Sequence, residues 1–199
     1  YGYYSMFDPT MILVLIGVFL SLGASAKVKS TYARFSRVRS MTGMTGAEAA
    51  RQLLNSQGIY DVQIRQVAGS LTDHYDPRTK TVNLSESVYG STSVAAIGVA
   101  AHECGHAMQD ASEYVPLRLR GSMVLVGGMG SPIVSLGILL FSLSVLFQLV
   151  TLPVEFNASA RAVRLLDSTG ILRGEEVGYT KQVLGAAALT YVAAAAGSI

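Results

Sequence analysis

Three long uncharged stretches, at residues 9–26, 121–154 and 182–199, divide the chain. The first and the third contain 18 residues each, close to the roughly 20 residues that an α-helix needs to cross the hydrocarbon core of a bilayer. The pattern therefore predicts an N-terminal transmembrane anchor over residues 1–26, a membrane-embedded hairpin over residues 121–154 and a C-terminal transmembrane helix over residues 182–199.

The middle stretch is too short for two ordinary spans. It has 34 residues, whereas two full crossings need about 40 residues and a turn. A break rich in glycine lies at residues 127–132. Two interpretations follow: a shallow re-entrant hairpin, or a chain from which residues are absent near Gly130 and Ser131.

The polar residues over 27–120 carry the signals of a small folded unit. Thr45 and Glu48 have the spacing of a capping box, and the helix that they begin is expected to stop at Gly58. Residues 61–67 and 80–85 alternate between apolar and polar positions, as half-buried strands do. We therefore expect a short sheet of two or three strands in this unit, and a further helix over residues 155–181.

Charge predicts the orientation in the membrane. Five basic residues directly follow the first stretch, and Asp8 is the sole charged residue before it. The positive-inside rule then places the N-terminus outside and the residues after 26 in the cytoplasm. A cleaved signal peptide would carry its positive charges before the apolar run, so that alternative is rejected.

Composition supports an integral membrane protein with a modest soluble part. Half of the residues are hydrophobic and 14% are charged. No basic run is interleaved with aromatic residues, which argues against nucleic-acid binding. Cys104 is the single cysteine, so no intramolecular disulfide can form. We interpret it as a small core residue.

The most informative motif is the run from His102 to His106, in which two histidines stand four residues apart and Glu103 follows the first. On a helix, residues i and i+4 share a face, so both imidazoles can reach one metal ion. A catalytic zinc keeps three protein ligands and a water that the metal acidifies, and Glu103 is placed to act as its general base. The alternative is a buried helix that happens to contain two histidines.

A third ligand must come from elsewhere in the chain. Glu155 is the first charged residue after the middle stretch, and it follows Pro153 at the predicted start of a helix. A carboxylate there would complete a site of two histidines and one glutamate. Glu155 could equally be a first-turn residue that only complements the helix dipole. Spacing alone does not choose between these two interpretations.

Two further roles are assigned around the second predicted strand. His74, in a polar loop, would stabilise the oxyanion of a reacting carbonyl, or would simply cap a turn. Residues 81–84 are assigned to an edge strand that holds the substrate backbone by strand addition.

The sequence resembles the YugP-like membrane zinc metallopeptidases of bacteria. The likeness rests on motifs at residues 44–50, 71–78, 101–109, 151–160 and 186–196. That family is similar in turn to gluzincin proteases of the membrane CAAX-protease and heat-shock-protease type, in which a Glu-Phe-x-Ala-Asp segment supplies the third zinc ligand. By position the resemblance assigns this role to Glu155, with Ser159 where the wider group has Asp. It also implies that residues are absent from the middle stretch and beyond Ile199.

These observations together predict an α+β membrane protein, mostly helical, with transmembrane helices and a small zincin-like domain that has a short sheet and an HExxH metal helix. The expected function is a zinc metalloendopeptidase of the bacterial inner membrane, multi-pass, with its site facing the cytoplasm. Zn2+ is the expected cofactor, and membrane or membrane-proximal proteins are the expected substrates. The alternatives are a membrane scaffold or partner-binding protein with a structural zinc, and a zinc hydrolase of non-peptide amides.

Overall fold

The computed structural model describes residues 9–117, 120 and 134–197 of the chain. Within these residues the fold is mostly helical, with one small sheet. The helices are α1 (Pro9–Phe35), α2 (Gly46–Ser56), α3 (Glu86–Tyr89), α4 (Val94–Ala111), α5 (Val134–Ser168) and α6 (Glu175–Gly197). The strands are β1 (Gln63–Val67), β2 (His74–Asp76) and β3 (Thr81–Ser85).

Helix α4 lies at the centre of the folded part, because α2, α5 and α6 all pack against it. Its buried residues include a run of small and apolar side chains, and Ser93 caps its N-terminus by accepting a hydrogen bond from the Ala96 N–H. Cys104 is fully buried in this core. Close packing of small residues thus fixes the helix that carries both histidines.

The local signals for α2 and the sheet are confirmed. Thr45 and Glu48 form both bonds of the capping box, and Gly58 adopts a left-handed conformation at φ +71° just after the helix. The strand order, however, is β1-β3-β2. The assignment of residues 81–84 to an edge strand is therefore wrong, because β3 pairs with β1 on one side and β2 on the other. The edge strands are β1 and β2.

Helix α5 also differs from the prediction. It is a continuous helix of 35 residues with Pro153 inside it, so Glu155 lies in a helix interior and not at a helix start. Proline removes one backbone hydrogen bond, but long apolar helices tolerate this loss when neighbouring helices and side chains support them. The predicted break at residues 127–132 lies outside the described residues.

In the part of the chain that the structure describes, two helical segments are long and apolar enough to cross a membrane, Val14–Phe35 and Ser142–Ser168. Within the described residues, α6 is not among these candidates. It packs along α1, and the rings of Phe35 and Tyr179 stack with their centroids 5.0 Å apart. The predicted C-terminal transmembrane helix therefore stays a prediction.

Candidate metal centre

The histidines of α4 lie one turn apart on one face of the helix, as their spacing predicts. The rings of His102 and His106 meet edge to face, with centroids 4.7 Å apart. Their Nε2 atoms are 3.2 Å apart and point to a common position. Two ring nitrogens this close are favourable only when a proton or a cation lies between them.

Glu155 on α5 completes the group. Its Oε2 lies 3.1 Å from His102 Nε2 and 3.4 Å from His106 Nε2. Donors bound to a tetrahedral zinc ion at about 2.0–2.2 Å are roughly 3.3–3.6 Å from one another. The triangle of these three donor atoms, with sides of 3.1, 3.2 and 3.4 Å, therefore fits a small divalent ion with little adjustment.

A hydrogen bond holds the second nitrogen of each imidazole. His102 Nδ1 lies 3.0 Å from Ser159 Oγ, and His106 Nδ1 lies 3.0 Å from Gln109 Oε1. An amide oxygen accepts a hydrogen bond from Nδ1–H, so the proton of the neutral ring stays on Nδ1. Nε2 then keeps a free lone pair, and this is the form that binds metals. Ser159 thus occupies the place of an orienting carboxylate for His102.

The amide of Gln109 joins the two helices. It is fully buried, and its Nε2 donates to the Val154 carbonyl at 2.8 Å and to Asn157 Oδ1 at 3.1 Å. Asn157 in turn accepts from Arg161 Nε at 2.8 Å. This network fixes the register of α5 against α4, and so places Glu155 beside the histidines.

Arg120 is a contact that the sequence did not reveal. Its guanidinium Nη1 donates to Glu155 Oε1 at 2.8 Å, while the other carboxylate oxygen faces the histidines. Arg120 lies 35 residues before Glu155 and directly precedes the middle apolar stretch. No local sequence pattern distinguishes an arginine that neutralises a buried carboxylate from an arginine that lies at the membrane interface.

The electrostatics favour a cation at this position. Burial tends to lower the pKa of His106, but the Glu155 and Glu103 carboxylates outweigh it and raise the pKa above its usual range. The same carboxylates that attract a proton to His106 attract a metal ion. Proton and metal therefore compete for one place.

Glu103 lies beside this group, with 7% of its surface exposed. It lines a cavity of about 360 Å³ together with His102, Glu155 and Ser159. The remaining walls come from α1, from the segment before β2, from α4 and from α6: Ser25, Val28, Lys29, Tyr32, Leu71, Asp73, Val99, Val183, Leu184, Ala187, Ala188, Thr190 and Tyr191. The surface of the cavity is thus mostly apolar, and the polar groups in its lining include the His102 imidazole and the Glu103 and Glu155 carboxylates.

His74 does not line this cavity. Its ring is exposed, with Nδ1 2.9 Å from the Thr72 carbonyl and Nε2 3.2 Å from the Asn83 amide. The cavity-lining residue of that segment is Asp73, which accepts hydrogen bonds from the Ser85 N–H and Oγ. Burial raises the pKa of Asp73, and those two bonds partly oppose the rise.

Tyr191 on α6 is a second polar group that sequence reasoning missed. Its phenol interacts with the Glu155 carboxylate and lies within electrostatic range of Glu103 and Arg120. Tyr191 is in the apolar C-terminal stretch, where nothing in the local pattern relates it to the histidines 85 or more residues earlier.

The fold and the three converging donors describe a mostly helical, apolar protein with a candidate metal centre between two packed helices. The sequence matches, over residues 10–136 and 125–199, the family described as "Putative neutral zinc metallopeptidase", and the chain belongs to this family. It is also 46% identical over 205 residues to the "Putative membrane protease YugP" of Bacillus subtilis (strain 168), with 95% of this chain and 91% of the relative covered. No solved structure matches the chain. The family resemblance that the motifs indicated is confirmed.

Proposed function

We propose that the protein is a membrane-embedded zinc metalloendopeptidase in which His102, His106 and Glu155 hold the metal. The convergence of their three donor atoms within 4.8 Å carries this proposal. Two imidazoles and one carboxylate are the donor set of a gluzincin-like catalytic zinc, which keeps an open coordination position. The family description supports both the metal and the peptidase activity.

When bound, zinc would supply a Lewis acid that polarises a carbonyl and acidifies a water molecule. Glu103 is the general base: its carboxylate accepts the proton of the attacking water and passes it to the leaving amine. It stands one residue from His102, next to the metal donors but outside the donor triangle, and it faces the cavity. Its position supports proton transfer more than metal binding.

Tyr191 takes the role of oxyanion donor in this proposal. Its phenol lines the same cavity as Glu103 and His102, and a phenolic O–H near a reacting carbonyl stabilises the negative charge that develops there. His74 was the candidate from sequence, but its ring nitrogens are engaged by Thr72 and Asn83 outside the cavity.

The substrates are proposed to be membrane or membrane-proximal proteins, cleaved at the cytoplasmic surface. Helix α1, a candidate membrane span, forms part of the cavity wall, so the reacting bond would lie close to the bilayer. The relative from Bacillus subtilis is named a membrane protease, which supports this location.

The chain is also proposed to lack residues within its middle stretch. The alignment to the relative has 205 positions, whereas 95% of 199 residues is about 189, which leaves about 16 positions without a counterpart here. The two family matches overlap at residues 125–136. The middle stretch is therefore the proposed place of the missing residues.

A scaffold with a purely structural zinc is the less favoured function. Such sites are normally closed by four protein ligands, and the candidate group within the described residues has three. A structural site also has no need of a buried Glu103 beside an open cavity. Hydrolysis of a non-peptide amide would use the same residues, so only substrate profiling separates it from proteolysis.

Metal analysis of the purified protein, together with a Glu103→Gln variant, tests the proposal. The unmodified protein should bind about one zinc per chain and cleave an unfolded membrane-protein substrate. Glu103→Gln should retain zinc while turnover falls at least about a hundredfold, because general-base catalysis is lost. His102→Ala should lose both metal and activity. Loss of zinc from Glu103→Gln would instead make Glu103 a ligand and overturn the assignment.

A further inference from the structure

A second cavity, of about 370 Å³, lies on the outer side of α5 and α6. It is a groove between the two helices, which form a helical hairpin with residues 169–174 as the connection. Its floor is made by Phe156, Leu184, Gly185 and Ala188, and Arg164 and Lys181 stand at one end. The groove adjoins the cavity beside the candidate metal centre, because Ser159, Leu184 and Ala188 line both.

The two basic side chains are not neutralised. Both are exposed, and among the described residues neither forms an ion pair with a carboxylate. Arg164 donates to the Ala160 carbonyl of its own helix. Acidic residues near the start of α6 are used elsewhere: Glu175 accepts from the Tyr179 hydroxyl, and Glu176 accepts from the Met41 N–H. The positive charge at this end is therefore available to a ligand.

Apart from Ser159, the rest of the groove is lined by apolar residues, and the groove is open. Phe156 and Arg164 are eight residues apart on α5, so they lie on one side of the helix at a separation of about 12 Å along its axis. A Cβ added at Gly185 would meet no atom within 4 Å, which shows that the floor is not filled by neighbouring side chains. The groove is thus an open apolar channel with a cationic end.

The groove also lies where a lipid would reach it. Helix α5 contains the candidate span Ser142–Ser168, and Phe156 on the groove is 50% exposed. Further along the same side of the hairpin, Leu189 and Val192 are large apolar residues exposed by 47% and 42%. An apolar surface that ends at two unpaired cations matches an amphiphile with an acyl chain and an anionic headgroup.

We propose that this groove binds one anionic phospholipid, with its phosphate between Arg164 and Lys181 and an acyl chain along Phe156, Gly185 and Ala188. Basic pockets between membrane helices are known to hold anionic headgroups. A zwitterionic lipid would bring a third cation next to the charges of Arg164 and Lys181, so the groove favours lipids with a net negative charge. The proposal requires α5 to lie in the membrane, and it does not depend on peptidase activity.

Native mass spectrometry of the full chain, exchanged from detergent into micelles that contain phosphatidylglycerol or phosphatidylcholine, tests this. One phosphatidylglycerol should be retained per chain, with much less phosphatidylcholine. The double variant Arg164→Gln, Lys181→Gln should bind phosphatidylglycerol about thirtyfold more weakly, because each basic side chain near a lipid surface contributes about 1 kcal/mol. Gly185→Leu keeps both charges but fills the apolar channel, and it should also displace the lipid.

The matched control is Lys27→Gln, Arg37→Gln, which removes two exposed charges from α1 and the segment after it and should leave the retained lipid unchanged. An equal loss in this control would mean diffuse surface attraction and would overturn the proposal. Full competition by soluble glycerol phosphate, or unaltered lipid binding in Gly185→Leu, would also overturn it, since the acyl chain would then have no place in the site. If the double variant fails to fold, as judged by its helical circular dichroism, Gly185→Leu decides the question alone.

Discussion

Gly105 on α4 and Ala158 on α5 touch through their backbones. A Cβ built on Gly105 would stand 2.5 Å from the Ala158 carbonyl oxygen, so no larger residue fits without moving one helix. Gly105 lies between the two histidines, and Ala158 lies between Glu155 and Ser159. The closeness of these two residues therefore brings the carboxylate and the hydroxyl within reach of His102.

Gly105→Ala is expected to separate the helices and weaken the metal centre. Overpacking of this kind typically costs about 1–3 kcal/mol of stability, and the displacement of Glu155 should lower zinc affinity as well. Thermal unfolding and zinc titration of the purified variant measure both effects. Gly178→Ala on α6 is the control, because a Cβ there meets no atom within 4 Å and alanine favours a helix. Unchanged zinc affinity in Gly105→Ala would show that the helix contact does not position the site.

Ser159 is expected to tune the affinity for zinc through His102. Removal of the hydroxyl in Ser159→Ala should lower zinc affinity about 10–100-fold, the usual effect of losing a group that orients a metal-bound histidine. Ser159→Asp should bind zinc at least as tightly as the unmodified protein, because a carboxylate is the stronger acceptor for the Nδ1 proton. Competition with a chromophoric chelator measures these affinities, with Ser36→Ala as a remote hydroxyl control. Equal affinities in all four proteins would exclude an orienting role for Ser159.

How far the sequence predicts this site depends on the distance between its parts along the chain. The spacing of His102 and His106 is enough to place both on one helix face, and the capping box at Thr45 marks the start of α2, because helix periodicity and capping are local. Glu155 needed the family resemblance, since a lone carboxylate after an apolar run has several ordinary explanations.

The parts that sequence reasoning missed depend on contacts between distant segments. Gln109 and Arg120 have no local signal, and their roles follow from the packing of α5 against α4. The order of three short strands is likewise not encoded in their alternation, which is why β3 was assigned to an edge although it is central. Pro153 suggested a helix start because proline is usually excluded from helix interiors, but its apolar surroundings override that preference.

Tyr75 ties the edge strand β2 to α4, and its removal should alter the alkaline stability of the fold. Its hydroxyl donates to Asp110 Oδ2 at 2.9 Å. Burial, together with that bond to the Asp110 carboxylate, raises the pKa of Tyr75 well above its usual range. A group with a raised pKa stabilises the fold fully below its unfolded value of about 10 and loses this contribution as pH rises further.

Tyr75→Phe should therefore lower stability by about 1–2 kcal/mol at neutral pH, because one hydrogen bond to a charged group is lost. Above about pH 10 the difference from the unmodified protein should shrink. Thermal unfolding in detergent between neutral and alkaline pH measures both effects. Tyr60→Phe is the control, because Tyr60 is 73% exposed and its variant should follow the unmodified protein at every pH. A constant difference across the range would rule out the titration of Tyr75 as the cause.

The predicted orientation of the protein rests on the basic residues after the first candidate span, and single cysteines can test it. Asn55 and Ser168 are exposed, and one precedes and the other follows the metal donors in sequence. The native thiol of Cys104 is fully buried, so a Cys104→Ala background removes it at a small packing cost. In intact cells, cysteines at Asn55 and Ser168 should stay unlabelled by a membrane-impermeant reagent until the membrane is opened, because both are predicted to be cytoplasmic.

A cysteine at Ser5, before the first candidate span, should be labelled from outside and serves as the positive control. Two ligands of one metal must lie on the same side of the membrane. Labelling of just one of the two test positions would therefore contradict the proposed path of the chain between His106 and Glu155. Labelling of both would show that the orientation is the reverse of the predicted one.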